Sequence, residues 1–167
     1  MKRKYLILLL FFPPIISLSQ DSTAYKPGIA ENKVIYSGST IKIFAGQKIS
    51  ISADNKAGKL GSLKLIDSGR TQIINMNLIN RVLQQNGEKN ISIDFNIIQQ
   101  DDGKSHSFLI VNNPYQQTLT YKAKIYSRRE NDYIETSIWD ISPGISGIEH
   151  WPYPIADIIL YDFTLKK

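Results

Sequence analysis

The chain of 167 residues contains no cysteine. Disulfides, thiol nucleophiles, cysteine-held zinc, iron–sulfur clusters and thiol redox chemistry are therefore excluded. Histidine is nearly absent too: His106 and His150 are the only two. A Ser-His-acid triad would have to use one of them. His106 stands in Ser105-His106-Ser107, and no Gly-x-Ser-x-Gly elbow accompanies it. No Walker loop, dinucleotide fingerprint or HExxH motif occurs. Asp54-Asn55 and Asp101-Asp102-Gly103 lack the ligand spacing of a calcium loop and read as turns. The sequence thus assigns no catalytic residue, no metal ligand and no cofactor, and an enzyme is the less favoured class.

Charge of one sign is also scarce. The formal +5 includes Lys2, Arg3 and Lys4, which open an N-terminal segment expected to be removed. Without them, 17 basic residues face 15 acidic ones. The remaining basic spots, Lys122/Lys124, Arg128-Arg129 and Lys166-Lys167, are scattered. A nucleic-acid binder shows a basic stripe with a motif, and neither is present, so no nucleic-acid partner is expected.

Long hydrophobic runs are missing beyond the first residues. Tyr5 to Ile16 is apolar but shorter than the roughly 20 residues of a spanning helix, and Pro13 and Pro14 break it. The basic start, the short apolar core and Ser17-Leu18-Ser19 fit a signal peptide over 1–19, cut after Ser19 to leave Gln20. The expectation is an exported protein, periplasmic or extracellular, with no transmembrane segment after cleavage. Residues 20–33 read as a flexible lead-in and 34–167 as one domain.

What is present is alternation with period two, the mark of strands with one buried face. Ile41 and Ile43, then Ile49, Ile51 and Ala53, suggest a hairpin turning at Gly46-Gln47. Residues 54–59 read as a polar loop. Leu63, Leu65 and Ile66 suggest a strand closed by Asp67-Ser68-Gly69. Ile91, Ile93, Phe95 and Ile97 alternate cleanly, as do Leu119, Tyr121, Ala123 and Ile125. Phe108-Leu109-Ile110-Val111 is apolar throughout, which predicts a strand covered on both faces. Residues 133–139 read as a strand and 142–154 as an irregular, Pro-rich loop. The last strand is read with Ile159, Tyr161, Phe163 and Leu165 on one side. Residues 71–87 carry both periods: Ile74, Met76 and Leu78 fit a strand, and Met76, Ile79 and Leu83 fit a helix. A strand running into one or two helical turns is favoured.

Many short strands without long helices predict an all-β, immunoglobulin-like antiparallel β-sandwich of about eight strands. The stretch from Phe108 through Asn112-Asn113-Pro114 to Ile125 resembles the strand–"NP"–strand element of immunoglobulin-like domains in periplasmic chaperones and related modules. The resemblance covers 18 residues and implies a fold rather than an activity.

The candidate site lies late in the chain. Trp139, Trp151, Tyr153, Tyr133 and Tyr126 form an aromatic set, and Glu149 adjoins His150 in Gly147-Ile148-Glu149-His150-Trp151-Pro152-Tyr153-Pro154. Aromatic rings stack on sugars and anchor protein partners, so Trp139, Glu149, His150, Trp151 and Tyr153 are the candidate ligand-binding residues. The competing reading has Trp151 and Tyr153 plugging the end of the sandwich. The first functional expectation is a binding or structural module for a cell-envelope protein or glycan. An assembly subunit pairing through the edge of its last strand, 158–165, comes second. A hydrolase using Glu149 and His150 comes third; adjacent residues on a strand point opposite ways, so these two converge only in a bent loop.

Overall fold

A computed structural model describes residues 33–56, 58–71, 75–83, 89–127 and 129–166. The expected signal peptide at 1–19 and the lead-in up to residue 32 lie outside the described residues. In chain order the elements are β1 (Ile35–Ser37), β2 (Thr40–Phe44), β3 (Gln47–Lys56), β4 (Lys59–Arg70), α1 (Met76–Leu83), β5 (Ile91–Gln99), β6 (Ser105–Asn112), β7 (Thr118–Ser127), β8 (Asp132–Thr136), β9 (Ser146–Trp151) and β10 (Asp157–Lys166). The protein is nearly all β, as the alternation predicts, with ten described strands where about eight are expected. No helix among the described residues is long and apolar enough to cross a membrane.

Every described strand pairing is antiparallel. One arm of the sheet holds β1, β2, β10, β7 and β8, and the other holds β4, β3, β5, β6 and β9. The arms meet where Thr164 of β10 pairs with Lys59 of β4. A single apolar core draws on both. Ile41, Ile43, Ala123, Leu160 and Phe163 come from one arm, and Ile49, Ile51, Phe95, Leu109 and Val111 from the other. Each of these side chains except the small Ala123 contributes about 1.5–3 kcal/mol by leaving water. A smaller cluster lies outside the second arm: Ile79 of α1, with Leu83 beside it, covers Ile98, Phe108 and Ile110. This explains the apolar run at 108–111, because β6 is buried on both faces, as expected.

Several strands differ from their sequence reading. The hairpin expected over 41–53 does not form. β2 pairs with β1 and β10, while β3 pairs with β4 and β5. The turn carries the chain from one arm to the other, with Gly46 at φ 92° and its N–H donating to the Phe95 carbonyl at 2.8 Å. Glycine takes this left-handed conformation without the Cβ penalty. The expected polar loop at 54–59 is mostly strand, since Lys56 and Lys59 still face each other across a tight turn. Asp67-Ser68-Gly69 does not close β4; it pairs with residues 48–50 beyond a register shift. In β10 the buried residues are Ile158, Leu160, Phe163 and Leu165. The parity slips at Asp162, whose φ of 54° sits within a register shift between Tyr161 and Thr164. A bulge of this kind puts two residues opposite one and resets the alternation. In the stretch 71–87 the helical turns read with Met76, Ile79 and Leu83 form over Met76–Leu83, with the Asn75 Oδ1 accepting the Leu78 N–H at 3.2 Å as an N-cap does, while 72–74, where the strand is read, and 84–87 lie outside the described residues.

Candidate functional site

The late segment expected to be an irregular loop is largely a strand. β9 pairs with β6 from Asn112↔Ser146 to Ser107↔Trp151. Gly147 permits this, because a Cβ there would lie 2.7 Å from Cγ1 of Ile141. Strand alternation then sorts the candidates. Glu149 and Trp151 turn to the inner face and are buried, while Ile148 and His150 face outward. Glu149 and His150 therefore do not converge. Asp140, the next acidic residue in this region, is paired with the Lys166 ammonium at 3.0 Å.

Trp151 is 7% exposed and belongs to the main core. Its indole N–H donates to the Thr136 hydroxyl at 3.1 Å, tying β9 to the end of β8. Trp139 is the opposite case at 79% exposed. It lies beyond the end of β8, which stops at Thr136 rather than running on to 139. Its backbone N–H donates to Oε1 of Glu149 at 2.8 Å, so a buried carboxylate anchors the base of an exposed indole. Burial pushes the Glu149 carboxyl above its ordinary value, and the Trp139 N–H partly offsets this. Tyr121, buried nearby, has its phenol pushed up by burial and by the Glu149 charge.

Tyr153 is 46% exposed, in the turn after β9. Ser107 holds this turn: its buried hydroxyl donates to the Tyr153 carbonyl at 3.0 Å and accepts the Ile155 N–H at 2.7 Å. Ile145 and Ile148 are also exposed on this side of the sequence. Tyr126 and Tyr133, grouped with these rings by sequence, sit on the other arm in edge-on contact at 5.5 Å. There Tyr133 hydrogen-bonds Lys42 and Asp157, and Lys42 and Asp157 form an ion pair at 3.2 Å. The basic spot at Lys122/Lys124 flanks the ring of Tyr161, and Lys122 pairs with Asp162 at 3.0 Å.

The two histidines, 44 positions apart, meet on the outer face of the second arm. Nδ1 of His106 and Nε2 of His150 are 2.9 Å apart. The His150 ring stacks on Phe108 with centroids 4.7 Å apart and planes 14° apart. Burial, then the proximity of His106, holds the His150 imidazole below its ordinary pKa. Sequence spacing carries no signal for this meeting, because it depends on the β6–β9 register. A shallow cleft of about 450 Å³ lies elsewhere, lined by Lys48, Ser50, Asp67, Arg70, Lys89 and Asn90 among others.

The last strand, expected to offer an edge for assembly, is interior: β10 pairs with β2 and β4 on one side and β7 on the other. Fold and site together define a nearly all-β antiparallel protein whose late segment exposes one tryptophan and buries the other. The chain matches no protein-family model, no curated protein and no solved structure.

Proposed function

We propose that this is an exported, immunoglobulin-like β-sandwich module that binds a protein or glycan of the cell envelope through the Trp139 face. The observation that carries the reading is the 79% exposure of Trp139, anchored at its backbone by the Glu149 carboxylate. Leaving a large ring in water forgoes the burial that its neighbour Trp151 enjoys, and exposed aromatic anchors are what binding faces use. Tyr153, fixed by Ser107, extends the same late segment with a second exposed ring. The core shared between two antiparallel arms supports the sandwich reading, as does the Asn112-Asn113-Pro114 turn between β6 and β7. Export rests on the N-terminal sequence alone.

The test is a screen of glycans, peptidoglycan fragments and envelope extracts against the purified protein, read by tryptophan fluorescence. A saturable change that disappears in Trp139→Ala, with the fold intact, supports a ligand face. A change that persists in Trp139→Ala and in Tyr153→Ala moves the site elsewhere.

Assembly is the second reading, and it shifts from β10 to β9. Among the described residues β9 pairs only with β6, so its other edge is a template for a further strand. Concentration-dependent oligomers that dissociate on Ile148→Lys would favour it; a monomer at high concentration would count against it.

A further inference from the structure

We propose that His106 and His150 form a two-histidine chelate for a divalent transition-metal ion, bridging β6 to the edge strand β9. Both imidazoles are on the outer face, and Nδ1 of His106 approaches Nε2 of His150 to 2.9 Å. The ring centroids are 5.0 Å apart, slightly less than that gap plus the two ring radii, so the two nitrogens face one another. Metal–imidazole bonds are about 2.0–2.1 Å long, and two such bonds at a right angle separate their nitrogens by about 2.9 Å. The present spacing is therefore that of adjacent corners of an octahedral or square-planar site. Each ring swings by roughly 45° from the line between the nitrogens to aim its lone pair at a shared ion.

In the metal-free pair one ring nitrogen donates a proton to the other. Binding needs both facing nitrogens bare, so the donor ring shifts its proton to its outer nitrogen. This tautomer change releases no net proton from neutral rings. Phe108 supports the His150 ring from below, which limits the freedom lost on binding. Asp102, in the turn before β6, accepts hydrogen bonds from the Lys104 backbone and ammonium, the latter at 3.2 Å, and these hold its carboxyl below the ordinary value. Among the described residues no third His, Asp or Glu joins the pair in a metal-holding group. The remaining positions would belong to water or an outside ligand. Imidazole suits copper, nickel and zinc, and affinity should follow the order in which Cu²⁺ exceeds Ni²⁺ and Zn²⁺. The bound ion would staple β9 to β6.

The test uses the full chain without a histidine tag. Zn²⁺ is titrated while the imidazole resonances are followed by NMR; only two histidines exist, so each ring is identified by a single variant. The expected result is that both rings shift together and saturate at one ion per chain. Cu²⁺ calorimetry should show affinity falling by about tenfold or more in both His106→Asn and His150→Asn. The melting temperature should rise with Cu²⁺ in the wild type and not in either variant. Rings that shift independently, or not at all, or Cu²⁺ affinity unchanged in the double variant, would overturn the proposal.

Discussion

Trp139 and Trp151 are the same residue type in opposite situations, and substitution separates them. Trp151→Ala empties a core position and strands the Thr136 hydroxyl, so a loss of about 3–5 kcal/mol is expected in denaturant melts. Trp139→Ala should change stability by no more than about 0.5 kcal/mol. Equal losses in the two variants would place the Trp139 ring in the core. Asn113 is a buried polar case. Its buried side-chain N–H₂ group faces the carbonyls of Gln117, Ile141 and Ser142 at 2.8, 3.0 and 3.1 Å, and its Oδ1 accepts the Tyr115 N–H at 3.0 Å. Asn113→Ala leaves these groups without partners and should cost about 2–4 kcal/mol by the same assay. For Glu149 the sign is reversed. Its raised pKa means that the charged form is disfavoured in the fold, so its contribution is present below the unfolded pKa and lost as pH rises through the folded one. Glu149→Gln keeps an acceptor for the Trp139 N–H and should stabilise the protein at neutral pH, with no gain in acid.

At the scale of elements, β9 depends on one glycine. Gly147→Ala drives a methyl into Ile141 and should cost about 1–3 kcal/mol, checked by thermal melting. Much of the element pattern was legible in sequence: the alternations in β5 and β7, and the doubly buried β6, are written in single residues. What failed has common causes. β10 shifts parity at the Asp162 bulge, so Ile158 and Leu160 face inward where Ile159 and Tyr161 were expected. No local residue pattern announces a left-handed aspartate. The turn at Gly46 looked like a hairpin because its residues suit one; which strands it joins is decided by distant partners. Of the candidate site, the residue types were visible, but their facing was not. Glu149, His150 and Trp151 sort by strand parity only once Ser146–Trp151 is known to be a strand. The carboxylate anchor, the Ser107 clasp and the histidine pair all arise from cross-strand register, which sequence spacing does not encode.

For the whole molecule, His150 contributes a sensitivity to acid. The His150 pKa is lowered by burial and then by His106. Its contribution to stability is present above the unfolded pKa and falls away as pH drops through the folded one. The wild-type melting temperature should decline through this window, and His150→Gln should flatten that part of the profile. An unchanged slope would assign the acid sensitivity to other groups. A different consequence follows from the placement of β10. This strand, built from the last described residues, lies between β2 and β7 and touches β4, so Ile43 of β2 waits for Ile158, over a hundred positions later. Such distant pairings carry a large closure entropy and slow folding. The first arm has no middle until Asp157–Lys166 is in place. The first arm would therefore stay open while the second zips up, closing only when its slider, β10, arrives.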